Sequence, residues 1–321
     1  MKPTKILRIE GETANMPLPV QEIITGIADK DRPLSNSNLA YLSSLEPEAL
    51  SFFQVLWPSI VTEQRQKIIQ RLVELAEEHS ALDYENIFRA CLNDQDSVVR
   101  SRAIEGLWEI EEPYLVNILI NIMESDVSEM VRSSAATALG KFTMMAVEQK
   151  LRPEYTLKIY RSIINTLNDI NQPIEVKRRA LEGLSPLDSP EIRKLIDESY
   201  HSDNHNLRAS SIYAMGKTCN SSWLPLLLDE ATSNDTEIRY EVAVALGELG
   251  EKESVPRLIE LATDPDIEVK LAAIRSLGHI GDTGAKNFLK KIRDKSSATV
   301  KQATEEALQE IRILAEGTPL F

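Results

Sequence analysis

The sequence predicts an all-α solenoid, a row of stacked helix–turn–helix units. Three observations lead there. An apolar residue followed by Arg or Lys recurs at a nearly fixed interval. A stripe of small and large apolar residues follows each such pair at helical spacing. Alternation of the strand type is missing over any useful length. The recurring pairs are Val99-Arg100, Val131-Arg132, Val176-Lys177, Leu207-Arg208, Ile238-Arg239, Val269-Lys270 and Val300-Lys301, and their basic members lie 32, 45, 31, 31, 31 and 31 positions apart.

Three positions after each base stand Ala103, Ala135, Ala180, Ser211, Val242, Ala273 and Thr304; seven after it stand Leu107, Leu139, Leu184, Met215, Leu246, Leu277 and Leu308. With the apolar residue before the base, these positions are four apart and share one helix face. Their small middle members let a neighbouring helix come close. Gly140, Gly216, Gly247 and Gly278, eight positions after the base, read as helix ends, where glycine is favoured.

The elements follow in chain order. Residues 1–44 form an N-terminal segment with one or two capping helices within 20–45, because a terminal repeat has nothing stacked on its outer face. PEALSFFQVLW and TEQRQKIIQRLVELAEEH make a degenerate first pair, with Arg65 35 positions before Arg100. The first helices of later units are PYLVNILINIM, SPEIRKLIDESY, SSWLPLLLDEA, SVPRLIELA and GAKNFLKKIRD, with Ser189-Pro190 as an N-cap and first-turn proline. The interval of 45 exceeds 31 by about four helical turns, so both helices there lengthen around a turn near Arg152-Pro153, and such insertions are often the binding face. The sum is about eight or nine helix pairs, with residues 45–321 as one continuous array.

The stretches NDTEIRYEVAVALGELGEKESVPRLIELATDPDIEVKLAAIRSLGHIG and NDQDSVVRSRAIEGLWEI, with their D-x-x-V-R-x-x-A-x-x-(A)-L-G pattern, resemble HEAT repeats of the bacterial phycobilisome-lyase type. The resemblance covers roughly residues 45–312. It implies the solenoid and no single activity, since this fold serves scaffolds, adaptors, pigment lyases and some enzymes. It also implies a structural ladder between neighbouring repeats. Asp96, Asn204, Asp235 and Asp266 stand four positions before a base, and the bases are Arg100, Arg132, Lys177, Arg208, Arg239, Lys270 and Lys301. An Asp or Asn there can cap the second helix, and a charged partner strengthens the bond. The rival reading, a phosphate-binding stripe, conflicts with acids placed beside the bases.

Composition narrows the function classes. The net charge is −14, with 27% charged and 42% apolar residues, and Gly numbers only 12 of 321. Collagen-like, low-complexity and disulfide-scaffold chains are excluded. An acidic balance weighs against a phosphate backbone or an anionic membrane surface, although Lys177-Arg178-Arg179 and Arg100-Ser101-Arg102 are locally basic. The start MKPTKILRIE holds too short an apolar run for a signal-peptide core, and no stretch approaches a membrane span. Cys91 and Cys219 stand far apart, so the expectation is a reducing cytoplasm.

No catalytic residue, metal ligand set or cofactor site is assigned. His201 and His205 are four apart, but the Ser-Asp-Asn between them reads as a turn, which breaks the helical spacing a metal pair needs. Deoxyhypusine hydroxylase, an iron enzyme with HEAT-like repeats, uses His-Glu pairs; no His here precedes Glu. Phosphate loops, HExxH, paired Cys and G-x-S-x-G are also missing. With the core stripe buried, the positions one, five and nine after each base face the groove of the solenoid or its edge. Together with the adjacent positions they supply the candidate partner-binding residues Arg102, Glu105, Trp108, Arg178, Arg179, Tyr213, Tyr240, Arg275 and His279, and Glu241 lies beside them. The expected function is a non-catalytic protein-interaction scaffold, adaptor or assembly factor with a basic protein partner. The alternative is a pigment-lyase-like or other cofactor-handling enzyme.

Overall fold

The structure, a computed structural model, describes residues 20–294 and 297–315. Two helices, α1 (Val20–Ala28) and α2 (Asn36–Ala40), precede the pairs. The pairs are α3 (Pro47–Leu56) with α4 (Thr62–Glu78), α5 (Glu85–Cys91) with α6 (Ser97–Gly106), and α7 (Tyr114–Ser125) with α8 (Glu129–Val147). There follow α9 (Pro153–Asn168) with α10 (Ile174–Leu184), α11 (Pro190–Tyr200) with α12 (His205–Lys217), and α13 (Leu224–Glu230) with α14 (Thr236–Leu249). The last are α15 (Val255–Leu261) with α16 (Ile267–Ile280) and α17 (Thr283–Arg293) with α18 (Ala298–Ala315). No strand occurs among the described residues. The long interval is filled by the 19-residue α8 and 16-residue α9, with Arg152 at the N-cap and Pro153 in the first turn.

The apolar stripe does the stacking. Ala103, Ala135, Ala180, Ser211, Val242, Ala273 and Thr304 are all fully buried, and a single apolar cluster runs from Ile24 to Ile311. The second helices lie against one another in order from α4 to α18, whereas the first helices touch their neighbours far less. The second helices thus form the closely packed layer, the inner one, and the first helices the looser outer one.

Glycine explains the tightness, and not as the sequence spacing predicts. Gly216, Gly247 and Gly278 lie inside their helices, and the left-handed C-caps are Gly250 and Gly281, at φ 67° and 68°. The glycines eight positions after the base are contact points instead. A Cβ on Gly216 would stand 2.6 Å from Ala245 Cα, and one on Gly278 would stand 2.7 Å from Ala307 Cβ. Gly140 faces Gly183 across α8 and α10, where Thr143 also donates to the Gly183 carbonyl at 2.6 Å.

The second helices start on matched caps. Asp96, Asp235 and Asp266 each accept two backbone N–H groups of their own first turn, and Asn204 accepts one. Such caps contribute about 1 kcal/mol each. The Asp96 cap also accepts from Gln66, and the Asp235 cap from His205 at 2.6 Å, so both reach the preceding repeat.

The bases take a different partner. Arg100 grips Asp126 through Nε and Nη2 at 2.8 and 2.7 Å, and Arg239 grips Asp264 at 2.7 and 3.0 Å. Arg65 pairs with Asp94 too, donating through Nη2 at 3.2 Å. Each acid stands six positions before the next base, not four, and its carboxylate also accepts the N–H two residues on. Each arginine anchors its own turn as well, through a main-chain carbonyl such as Asp94 O for Arg100, Asp126 O for Arg132 and Ser233 O for Arg239. Burial alone would raise the Asp126 and Asp264 carboxyls, but the arginine and backbone bonds outweigh it and hold both below the usual carboxylate range. Elsewhere the ladder is thinner. Arg208 uses Glu230 instead, Lys301 lies 4.0 Å from Glu305 on its own helix, and neither the Lys177 nor the Lys270 side chain has a hydrogen-bond partner among the described residues.

Three stability outcomes follow from this geometry. Gly216→Ala lowers the free energy of unfolding by about 1–3 kcal/mol, because backbone must move. Gly26→Ala, whose Cβ meets nothing closer than 3.8 Å, is neutral or slightly stabilising. Arg239→Ala leaves the buried Asp264 carboxylate unpaired and costs about 3 kcal/mol. That contribution is full above the unfolded carboxylate value near 3.8 and is lost as pH falls through the lowered folded value. Urea unfolding at neutral and acidic pH reads all three.

Candidate functional site: a charged patch on the inner helices

The second helices present their positions one, five and nine after the base, but the environment differs along the row. The structure gathers four of the predicted residues on α10, α12 and α14. On α10, Arg178 bonds Glu175 at 2.8 Å and reaches across to Ser210 of α12 at 2.9 Å. Arg179 is held between Glu175 at 3.0 Å and Glu182 at 2.8 Å. Ser210 closes the network by donating to Glu182 at 2.6 Å. On α12, the half-buried Tyr213 lies under Lys217, whose ammonium is 5.7 Å from the ring centre and donates to Glu248 of α14 at 2.6 Å. Tyr240 of α14 rests half-buried against the core.

Glu241 differs from every neighbour. Its position, two after the base, holds the buried Ser210, Ala272 and Ala303 in three other repeats and Arg102, Ser134 and Arg179 in the rest. Glu241 is the one carboxylate in this row. The Glu241 side chain has no hydrogen bond or ion pair among the described residues. Desolvation pushes its carboxyl up to about 7, repulsion from Glu182 and Glu237 adds to the effect, and Arg178 and Arg179 only partly offset it. Desolvation also raises the Tyr213 hydroxyl.

The other predicted residues lie apart. Arg102 and Glu105 pair with each other on α6, both partly exposed. Trp108, just beyond α6, is 48% exposed, with Lys141 5.9 Å from its ring centre. Lys141 serves the end of α6, donating to the carbonyls of Trp108 and Ile110. Arg275 is exposed on α16, and His279 joins Glu310 of α18 at 3.1 Å. His201 ends α11 near Asp197, while His205 turns to Asp235, whose hydrogen bond raises the imidazole. The two histidines thus serve different acids. No group of three or more potential metal ligands occurs among the described residues, and no described helix is long and apolar enough to cross a membrane.

Sequence reasoning missed a second concavity, a cleft of about 970 Å³ on the outer layer between α3, α5 and α7. Its walls carry the amides Gln54, Asn86, Asn93, Gln95, Asn117 and Asn121. A signal was present: Asn117 and Asn121 interrupt the apolar helix YLVNILINIMES one turn apart.

The HEAT-repeat model matches residues 85–153 and 224–309. The chain carries HEAT repeats. Among solved structures, the CpcE–CpcF complex of phycocyanin lyase from Nostoc sp. PCC7120 is 15% identical, with 95% of this chain and 99% of that one covered and a TM-score of 0.53. Human deoxyhypusine hydroxylase in complex with glycerol is 19% identical over 81% of this chain and 95% of that one, with a TM-score of 0.35. Importin beta is 16% identical over 91% of this chain and 41% of that one, with a TM-score of 0.45. At such identities the lyase likeness is one of fold alone. No curated protein matches the sequence.

The patch has a pH signature. The folded state of this HEAT array prefers Glu241 protonated, so stability is full below the unfolded value near 4.5 and is lost as pH rises through about 7. Glu241→Gln therefore raises the melting temperature at about pH 8 and changes it little at about pH 5. Thermal melts across that range check the sign.

Proposed function

We propose that this HEAT array is a non-catalytic scaffold, adaptor or assembly factor of the cytoplasm, which holds a basic protein partner across α10, α12 and α14. On this reading residues 45–321 act as one array and residues 1–44 as its N-terminal segment and cap. The observation that carries the proposal is the half-buried, unpaired Glu241 carboxylate beside Glu182. In the free protein it is desolvated, and Arg178 and Arg179 compensate it only in part, which costs stability. A lysine or arginine of a partner placed over Glu241 and Glu182 supplies the remaining counter-charge. Tyr213 and Tyr240 flank the position with aromatic surface of the kind enriched at binding hot spots.

Arg178 and Arg179 support the same reading by being occupied. Arg178 is held by Glu175 and Ser210, and Arg179 by Glu175 and Glu182, so neither is free for a phosphate. The lyase likeness brings no tetrapyrrole-binding residue with it, and the enzyme alternative therefore has no named group here.

A tagged pull-down from the source organism is expected to yield one stoichiometric protein, crosslinked to residues of α10, α12 and α14. Tyr213→Ala and Glu241→Gln each weaken that complex by about tenfold or more. Arg239→Ala does not, at temperatures where it remains folded. Crosslinks that avoid the second helices altogether, or a purified protein that carries a bound chromophore, overturn the proposal.

A further inference from the structure

We infer that the outer layer holds a second, independent site: the cleft between α3, α5 and α7 takes an extended, uncharged peptide segment of another protein, gripped through its main-chain amides. The cleft exists because α5 is only seven residues long and stands between the longer α3 and α7. A short helix between two longer ones leaves a trough. Its floor is apolar, made by Phe53 and Trp57 on one side and Ile118 and Ile122 on the other.

The rim is made of primary amides. Of the six around the cleft, only Asn117 has a side-chain hydrogen bond among the described residues, accepting from Lys158 at 2.9 Å. A primary amide offers donors and an acceptor together. It therefore matches a peptide group, which also offers one of each. The spacing matches too. Asn117 and Asn121 are four residues apart on α7, about 6 Å along its axis. Alternate residues of an extended chain are about 6.6–6.8 Å apart. A strand laid along α7 thus meets an amide at every second residue, and the intervening side chains point at the floor.

Charge and backbone satisfaction select the occupant. Arg65, at the cleft wall, is committed to Asp94, which also accepts from Trp57 at 2.6 Å. Arg89 pairs with Glu85 and stacks on Tyr114. No uncompensated charge faces the cleft, so a charged segment finds no counter-ion. A helical ligand has its interior peptide groups bonded to one another and leaves the amides unused. An extended neutral segment uses both the rim and the floor.

The test is selection of random linear peptides, displayed on phage, against the full-length protein. The enriched sequences are expected to lack charge and to share one aromatic or large aliphatic residue. Synthetic copies bind the wild type and bind Asn117→Ala/Asn121→Ala about tenfold more weakly by fluorescence anisotropy. N-methylation of the peptide backbone weakens binding at alternate residues and not at those between. Both asparagines are exposed, so the double variant keeps its melting temperature; Asn86→Ala gives a second arm should it not. Tyr213→Ala and Glu241→Gln leave peptide binding unchanged, which separates this site from the inner patch. Failure to enrich any sequence, enrichment of charged or helical sequences, or binding indifferent to the asparagines and to N-methylation overturns the inference.

Discussion

Close approach of the second helices is the constraint on which the rest depends. Where Gly216 faces Ala245 and Gly278 faces Ala307, no room remains even for a methyl group. That contact sets the spacing of the inner layer, and the inner layer sets everything placed on it. Because neighbouring second helices lie so near, side chains of moderate length bridge them: Lys217 reaches Glu248, Arg178 reaches Ser210, and His279 reaches Glu310. The same nearness deprives Glu241 of water without granting it a partner.

The outer layer obeys a looser rule. Its helices vary from seven to 16 residues and are tied to their neighbours by tyrosine hydroxyls donating to glutamates, as Tyr114 does to Glu85 and Tyr160 to Glu191. Variation in length costs little there, since few contacts are lost. It also generates relief, and the trough over α5 is one product. Uniform spacing inside and varied lengths outside give the chain two faces of different chemistry, one threaded with charge pairs and one edged with neutral amides.

Much of this was legible in the residues. The interval of 31 and the Ala–Leu stripe announced the stacked pairs, and Pro153 and Pro190 marked two helix starts. The acid four before the base was readable as a cap because an Asx side chain at that place meets its own first turn. The guanidinium's partner was not readable, since the distance from Arg239 to Asp264 is a property of how two repeats stack, and the sequence interval between them varies. The glycines misled for a related reason. A glycine near a helix end resembles a cap in one dimension, and only the neighbouring helix reveals a contact. Arg178, Arg179, Tyr213 and Tyr240 were found from periodicity, but the special position of Glu241 depends on what its counterparts in other repeats bury. The amide cleft lay beyond a repeat-based reading altogether, because it belongs to one short helix and not to the period.

The contact between Gly216 and Ala245 also bears on how such a chain can lengthen. The faces that α12, α14 and α16 offer to the helix after them are nearly the same: a glycine eight positions after the base, meeting Ala245, Ser276 or Ala307. A unit cut between Arg208 and Arg239 therefore carries matching ends, and a copy of it could be spliced in without a misfitting joint. The unit spanning α8 and α9 has no such interchangeability: Gly140 meets Gly183 at the same register, but the hairpin between them is longer. The C-terminal half is thus the part of the gene where duplication meets the least steric resistance, and the expanded hairpin is a fixed landmark around which the count of repeats can change.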